Sequence, residues 1–236
     1  MEWTDQRREV IRLIADRILK IRQSHPVRVG IDGGSASGKT VFADQLAELI
    51  RHSGRDVIRS GIDGFHNPPE IRHRQGDMSV QGYVEDSFNY QAVREYVLDP
   101  LGAGGSLQYT PHIFDHKAGG QDVASTAKAS PDAILVFEGV MLFHQDVANG
   151  FDFKVSLEVP EDVCLTRAKI RDLKHFGDME TLLEKYNRRF FPGQALHRER
   201  HQPLEVADVV VCNKDHRNPA VLRWNLPRHR HQARHS

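Results

Sequence analysis

The stretch Gly33-Gly34-Ser35-Ala36-Ser37-Gly38-Lys39-Thr40 decides the fold of this 236-residue chain. It matches G-x-x-x-x-G-K-[ST], the pattern of a phosphate-binding loop whose backbone N–H groups surround an anion. A strand-like apolar segment, 27–31, leads into the loop, and a helical pattern, 41–50, leads out of it. The N–H groups therefore gather at a helix N-terminus, which attracts negative charge. We expect Lys39 to bind the outer phosphates of a nucleotide and Thr40 to offer its hydroxyl to Mg²⁺.

Composition and charge indicate an ordinary globular protein. The chain is 39% hydrophobic and 27% charged, and its length suits a single α/β domain. Its formal net charge is zero, so no overall field draws it to nucleic acid or to a membrane surface. No apolar stretch approaches the ~18 residues of a membrane span, and two cysteines are too few for a disulfide framework. We therefore expect a cytoplasmic protein that binds neither nucleic acid nor membrane.

Apolar segments of strand length alternate with helical patterns along the chain. The strand-like segments are 27–31, 56–62, 133–137, 153–159 and 206–211, and the helical ones include 41–50, 90–98, 160–174 and 179–190. This alternation predicts an α/β fold of three layers, with a mostly parallel sheet and helices on both of its faces.

Three regions follow from the same patterns. Segment 1–24 carries an apolar helical face over 6–22, which predicts a helix packed on the core or, alternatively, across a homo-oligomer interface. We assign 25–215 to the P-loop domain. The remaining segment, 216–236, reads as a basic, histidine-rich and disordered tail.

Two carboxylates follow strand-like segments beside the loop. Glu138 ends the apolar run 133–137, where it can orient Mg²⁺ directly or through water. Asp63 follows 56–62, and because the carboxyl ends of parallel strands open onto the ligand crevice, we expect it near the phosphates. There Asp63 can accept the proton of an attacking hydroxyl, with His66 as the rival base. Residues 63–88 lack periodicity, which predicts an irregular substrate loop.

Two arginines on a predicted helix form a further candidate phosphate contact. Arg167 and Arg171 lie four residues apart, so their side chains share one helical face. A planar guanidinium suits phosphate recognition, although the same spacing also fits a solvated basic face. Segment 172–180, with Gly177, interrupts the helical pattern and predicts a small mobile lid.

Together these motifs resemble the uridine kinase and phosphoribulokinase group of P-loop kinases. The resemblance runs from about 27 to 213, and it is carried by Gly33-Gly34-Ser35-Ala36-Ser37-Gly38-Lys39-Thr40, Asp63-Gly64-Phe65, Phe137-Glu138-Gly139, Arg171-Asp172 and Ala207-Asp208-Val209-Val210-Val211. It implies a kinase that uses ATP and Mg²⁺ to phosphorylate a hydroxyl group of a small molecule. It also implies Asp63 as the base, with Lys39, Thr40 and Glu138 serving phosphate and Mg²⁺.

The resemblance further implies contacts to the acceptor. Asp86 resembles the acid that holds ribose hydroxyls in that group, and Phe114-Asp115 resembles a Tyr-Asp pair beside the nucleobase. Asp63, His66 and Arg171 complete the predicted acceptor contacts. The chain departs from the group where Phe114 lacks a tyrosine hydroxyl, where Ala168 replaces a second arginine and where 175–178 replaces Arg-Gly-Arg in the lid. A lost polar contact can change substrate discrimination by orders of magnitude.

Three functions stay open at this point. The first is phosphorylation of a pyrimidine nucleoside, uridine or cytidine, at its 5′-hydroxyl. The second keeps the chemistry but changes the acceptor to pantothenate, a sugar or another nucleoside, because 63–66 also resembles the branch with pantothenate kinase and sugar-kinase-like proteins. The third is a nucleotide-dependent switch in which hydrolysis drives a shape change. The polar and aromatic groups of 63–88 argue against the switch, because they suit an acceptor pocket.

Overall fold

A six-stranded sheet forms the centre of the molecule, with the strand order β10-β9-β8-β1-β7-β2. The computed structural model describes residues 3–115, 120–121 and 124–225, apart from the side chains of Asp115 and Gln121. The strands are β1 (Val27–Gly33), β2 (Val57–Gly61), β3 (Gln108–Tyr109), β4 (Phe114–Asp115), β5 (Gly120–Gln121), β6 (Ala127–Lys128), β7 (Ile134–Gly139), β8 (Phe153–Glu158), β9 (Val209–Cys212) and β10 (Ala220–Trp224).

Helices connect the strands of this sheet. They are α1 (Asp5–Ile18), α2 (Lys39–His52), α3 (Pro69–Arg72), α4 (Val80–Asp86), α5 (Tyr90–Val93), α6 (Gln145–Ala148), α7 (Glu161–Arg171), α8 (Leu173–Phe176), α9 (Met179–Lys185), α10 (Phe191–His201) and α11 (Pro203–Val206). The strand pairs β2–β7, β7–β1, β1–β8 and β8–β9 are parallel, and β10 runs antiparallel to β9. The structure therefore confirms the predicted α/β fold with a mostly parallel sheet.

Alternating side chains of β7 show how the sheet separates two layers of core. Ile134 and Val136 belong to the cluster that contains the apolar faces of α1 and α2. Leu135 and Phe137 belong to a second cluster, which contains Phe143 and the residues around α5. Successive side chains of a strand point to opposite faces, so a strand covered on both faces must be apolar at every position. This requirement explains the continuous apolar run from which the strand was predicted.

The N-terminal helix α1 packs within the chain, against α2. Thr4 begins it, because the Thr4 side chain accepts a hydrogen bond from the backbone N–H of Arg7. Val10, Ile11, Ile14 and Ile18 are buried on its inner face, at the helical spacing expected from the sequence. The helix ends at Ile18, four residues before the predicted end.

The prediction of an irregular segment at 63–88 is corrected by the structure. A 3₁₀ turn, Ile62–Phe65, is followed by α3 and α4. These elements have four to seven residues, which is too short to give a periodic apolar pattern. Of the three, α4 begins with a side-chain cap, since Oγ of Ser79 accepts a hydrogen bond of 2.9 Å from the N–H of Gly82.

The helical path after α9 continues beyond the predicted end at residue 190. A π-helical turn, Tyr186–Phe190, joins α9 to α10, and the N–H of Phe191 donates to the carbonyl oxygen of Tyr186, five residues back. The wider turn accommodates Pro192, which has no N–H to offer and would disrupt a regular helix. Because proline usually ends a helix, the sequence pattern placed the end of this helix at residue 190, before its actual end.

The predicted tail is also shorter than 216–236. Ala220–Trp224 forms β10, which pairs with β9 and is the edge strand on that side of the sheet. The indole of Trp224 lies against the guanidinium of Arg17, whose Cζ atom is 4.1 Å from the ring centre. Residues 226–236, with most of the histidine-rich run, lie outside the described residues. Among the described residues, none of the helices has the length and apolar character needed to span a membrane.

Candidate active site

The phosphate loop lies at the carboxyl end of the central strand and ends where α2 begins. Its turn has two residues with positive φ, Ala36 at 59° and Gly38 at 90°. A Cβ atom at Gly38 would lie only 2.9 Å from Nδ2 of Asn213, so both conformation and space require glycine there. The turn brings loop N–H groups to the N-terminus of α2, where an anion is stabilised by hydrogen bonds and by the helix dipole.

Two side chains from distant parts of the chain fix the loop, and sequence reasoning missed both. Gln194 of α10 accepts a hydrogen bond from the N–H of Ser35 at 3.1 Å and donates one to Oγ of Ser35 at 3.0 Å. Asn213, directly after β9, donates from Nδ2 to the carbonyl oxygen of Ser37 at 2.7 Å. Neither residue belongs to a recognisable motif, so no local signal could have found them.

A buried arginine of α1 supports this arrangement from behind. Arg7 is 1% exposed, and its Nη1 donates to Oδ1 of Asn213 at 3.1 Å. Its Nε donates to Oε1 of Gln45 in α2 at 2.5 Å. Burial lowers the pKa of Arg7 to about 10, and the positive charge of Arg167 adds to the effect. The N-terminal helix thus contributes directly to the support of the phosphate loop.

Lys39, Thr40 and Glu138, which were predicted to act together, lie close to one another. Nζ of Lys39 donates to the carbonyl oxygen of Gly34 at 2.9 Å. Oγ1 of Thr40 donates to Oε1 of Glu138 at 3.0 Å, which links the start of α2 to the end of β7. Burial raises the pKa of the Glu138 carboxyl, and the charge of Lys39 works in the opposite direction.

The Thr40 and Glu138 oxygens fit the requirements of a magnesium ion. Mg²⁺ takes oxygen ligands and is held in many enzymes by one or two protein groups together with substrate phosphates. The half-buried Glu138 carboxylate would be stabilised by a neighbouring cation, because burial disfavours its charged form and raises its pKa. Among the described residues, no group of three or more His, Cys, Asp or Glu side chains could hold a metal ion by itself. A metal here would therefore depend on the phosphates of a nucleotide.

Asp63 is exposed in the 3₁₀ turn that follows β2. Gly61, at the end of β2, lies opposite Glu138 in the sheet register, which places Asp63 at the same edge as Glu138. The negative charge of Asp63 contributes to the raised pKa of Glu138, so the two carboxylates lie within electrostatic reach. The ring of His66 lies beside Asp63, with Nδ1 2.9 Å from the Asp63 carbonyl oxygen.

A third carboxylate, Asp32, was not singled out from the sequence. It is 4% exposed in β1, directly before the loop, and accepts a hydrogen bond of 2.8 Å from the N–H of Leu142. Burial raises the pKa of Asp32 to about 6, although this hydrogen bond and the charge of Lys39 oppose the change. Asp32 thus ties the segment after β7 to the strand that carries the phosphate loop.

A cavity of about 320 Å³ borders the loop near α7 and α10. Its lining residues include Asp32, Gly34, Gln194 and His197, but neither Lys39 nor Asp63. His197 is 2% exposed, and burial lowers its pKa to about 3, with nearby charges in support. The cavity therefore borders the start of the phosphate loop but not the side chains of Lys39 and Asp63.

Aromatic side chains lie beside Asp63, where an acceptor was expected. The His66 ring lies 4.7 Å from that of Phe88 and 5.8 Å from that of Phe114, measured between ring centres. Tyr83 of α4 lies beside Ser35, and burial raises the pKa of its hydroxyl. Phe114 is thus near the predicted acceptor position, whereas the side chain of Asp115 lies outside what the structure describes.

Asp86, the predicted ribose-binding acid, is already engaged by protein groups. Its carboxylate is 1% exposed at the end of α4 and forms an ion pair with Arg74. Its Oδ2 also accepts a hydrogen bond of 2.7 Å from Nε2 of Gln75. A sugar hydroxyl would have to compete with these two donors, which nothing in the sequence had indicated.

The two predicted phosphate-binding arginines have different surroundings. Arg167 donates to the carbonyl oxygens of Ser37, Asn213 and Lys214, at 2.8 to 3.3 Å, so it holds the loop from its carbonyl side. Arg171 is paired with Asp172 through Nε at 2.5 Å and Nη2 at 2.8 Å. Burial alone would raise the pKa of Asp172, but hydrogen bonds from Arg171 and Tyr186 bring it below its ordinary value. That Arg167 and Arg171 bind phosphate stays a prediction.

The fold and the loop define the class of this protein, which is a P-loop kinase for small molecules. Residues 28–193 match the model of the Phosphoribulokinase / Uridine kinase family. Since the match spans more than half of the chain, the protein belongs to that family.

Individual relatives agree with this assignment. Uridine-cytidine kinase B of Dictyostelium discoideum is 25% identical over 192 residues, which cover 79% of this chain and 74% of the relative. The structure of a possible uridine kinase from Bacillus stearothermophilus has a TM-score of 0.67 at 23% identity and covers 86% of this chain and 97% of that one. D-glycerate 3-kinase from Cryptococcus neoformans var. grubii has a TM-score of 0.58 at 13% identity, over 88% of this chain and 93% of the other. These two structural similarities show the fold alone.

Proposed function

We propose that the protein transfers the γ-phosphoryl group of Mg-ATP to a hydroxyl group of a small molecule. The observation that carries this proposal is the placement of two carboxylates, Glu138 and Asp63. Both lie at the carboxyl ends of strands, on the side of the sheet where the phosphate loop begins. One carboxylate is paired with the loop threonine, and the other is exposed and free to meet an acceptor. This division suits the two tasks of a kinase site, which are to hold the metal and to receive a proton.

Each residue of the proposed site has a separate task. Lys39 and the loop N–H groups would bind the phosphates, and Thr40 and Glu138 would hold Mg²⁺. The ion would neutralise charge on the phosphates when it is bound. Asp63 would accept the proton of the attacking hydroxyl, a task worth about 10²–10⁴-fold in rate.

Two chemical classes of acceptor fit this chemistry. Uridine and cytidine come first, because relatives that match most of the chain are uridine and uridine-cytidine kinases. Pantothenate, a sugar or another nucleoside comes second. The ion pair between Asp86 and Arg74 favours pantothenate or a sugar over any nucleoside, since it occupies the acid expected to hold the ribose hydroxyls.

An acceptor panel tests the proposal. ADP release from Mg-ATP is followed with each compound, for the wild type and for Asp63→Asn. We expect one acceptor to stimulate ADP release, and Asp63→Asn to reduce the stimulated rate at least about a hundredfold while Mg-ATP still binds. Asp16→Asn is the matched control, since the Asp16 side chain on α1 is 47% exposed, and it should leave the rate unchanged.

Two results would count against the proposal. Near-normal turnover by Asp63→Asn would remove Asp63 from the mechanism. ATP hydrolysis that no small acceptor changes, together with tight binding of a protein partner, would favour a nucleotide-dependent switch instead.

A further inference from the structure

Two arginines on the acceptor side of the site each have a buried Nε atom without a hydrogen-bond partner. Arg189, in the π-helical turn before α10, is 6% exposed, and its Nε is buried and unpaired. Arg72, at the end of α3, is half-buried, and its Nε is likewise buried and unpaired. Within the part of the chain that the structure describes, neither guanidinium makes a hydrogen bond or an ion pair. A buried N–H donor without a partner is costly, and more so on a charged group, so two such donors together favour an anionic ligand.

The elements that carry the two arginines both pack against α4, and the two charges lie within electrostatic reach of each other. Burial lowers the pKa of Arg72, and the positive charge of Arg189 is the next largest cause. Burial also lowers the pKa of Arg189. The two positive charges repel each other, and an anion bound between them would attract both.

Each of the two guanidinium groups lies over the face of an aromatic ring. Cζ of Arg189 lies 5.5 Å from the centre of the Tyr83 ring, and Cζ of Arg72 lies 5.5 Å from the centre of the Phe114 ring. Stacking of this kind fixes the plane of a guanidinium while its N–H edge stays available. That edge matches the two oxygens of a carboxylate or a phosphate.

The same two rings place Arg72 and Arg189 near Asp63 and the phosphate loop. The negative charge of Asp63 contributes to the raised pKa of Tyr83, which lies beside Ser35 of the phosphate loop. Phe114 contacts the His66 ring, which in turn lies against Asp63. The other arginines around the site differ, because Arg74 and Arg171 are paired with carboxylates.

We infer that the phosphate acceptor carries an anionic group, a carboxylate or a phosphate ester, which Arg72 and Arg189 bind. This inference rests on the proposed function and names the class of its acceptor. The acceptor hydroxyl oxygen forms a bond to the γ-phosphorus of ATP as the bond from that phosphorus to the β–γ bridging oxygen breaks. The hydroxyl proton passes to Asp63, and ADP leaves with the bridging oxygen. The arginines hold the acceptor by its charged end and take no part in the bond changes.

Matched acceptors that differ in charge test the inference. The pairs are glycerate and glycerol, pantothenate and pantothenyl alcohol, and fructose 6-phosphate and fructose, with uridine and cytidine as neutral nucleosides. We expect the best acceptor to be an anion, with kcat/KM at least about tenfold above its neutral counterpart, because charge-assisted hydrogen bonds would be lost. The first two pairs report on a carboxylate and the third on a phosphate ester.

Arginine variants then assign the effect to the two residues. Arg72→Gln and Arg189→Gln should each raise the KM of the best acceptor at least about tenfold and leave the KM of ATP within about twofold. Arg188→Gln is the matched control, since Arg188 is exposed in the same π-helical turn and paired with Glu184. Arg72 is half-buried, so Arg72→Gln keeps the test decisive if Arg189→Gln fails to fold.

The outcomes separate this inference from the proposed function. A neutral compound as best acceptor, or an unchanged KM in Arg72→Gln, would overturn the inference while the kinase proposal stands. Phosphorylation of none of these or the earlier acceptors would contradict the proposed function and the inference with it.

Discussion

Lys39 carries the clearest prediction for a single residue. Its ammonium group is bonded to the Gly34 carbonyl oxygen within the loop, so Lys39→Ala removes a charge without disturbing a distant contact. We expect phosphoryl transfer to be abolished, because the outer phosphates lose their positive partner. Turnover and Mg-ATP affinity measure the effect, and Lys20→Ala, at an exposed position, is the control. A Lys39→Ala protein that still turned over would contradict the role of the loop.

The buried Asp32 should make stability depend on pH. Its pKa is about 6 in the folded protein and about 3.9 when unfolded, so folding favours the protonated form. Stability from this group is therefore complete below about pH 4 and is lost as the pH rises through 6. Asp32→Asn keeps an acceptor for the Leu142 N–H without the charge. Relative to wild type, it should gain about 2–3 kcal/mol in free energy of unfolding between pH 4 and pH 7.

Urea unfolding at several pH values measures this difference between the two proteins. Equal pH profiles for wild type and Asp32→Asn would show that the Asp32 carboxyl does not titrate abnormally in the folded state.

At the scale of elements, α10 fixes the phosphate loop through Gln194. Gln194→Ala leaves the N–H of Ser35 without its acceptor, which costs about 1–3 kcal/mol where the group stays buried. We expect a lower free energy of unfolding and a raised KM for ATP, since the loop loses its support. Gln91→Ala, an exposed change that removes a hydrogen bond to Glu95, is the control. An unchanged KM for ATP in Gln194→Ala would show that α10 does not position the loop.

The elements predictable from the sequence are those whose signal is local. β7 was predicted because both of its faces are buried, which requires an uninterrupted apolar run. α3 and α4 were missed because they are too short for periodicity, and α10 was missed because Pro192 normally ends a helix. β10 was assigned to the tail because its stability comes from pairing with β9, a contact that no local pattern records.

The same distinction applies to the site. Lys39, Thr40 and Glu138 belong to motifs or strand ends, and the structure brings them together as expected. Gln194 and Asn213 reach the loop from more than 150 residues away in the chain, so only the folded structure reveals them. Their contribution depends on tertiary packing, about which a single sequence gives no direct information.

At the scale of the whole molecule, α1 should unfold together with the P-loop domain. Ile14 is fully buried against the core, and Leu13 beside it is 41% exposed. Ile14→Ala should therefore lower the free energy of unfolding by about 2–5 kcal/mol, whereas Leu13→Ala should change it by less than about 0.5 kcal/mol. Thermal unfolding should remain a single transition in both variants. A separate early transition of α1 would contradict this account.

Transfer of a labelled phosphoryl group tests the central claim most directly. The protein is incubated with ATP labelled in the γ-phosphoryl group and with the acceptor panel, and the label is followed into acceptor and into inorganic phosphate. We predict that the label appears in one acceptor, and that Asp63→Asn loses this transfer while calorimetry still detects Mg-ATP binding. Label found in inorganic phosphate alone, at a rate that no acceptor changes, would contradict the claim that this protein is a small-molecule kinase.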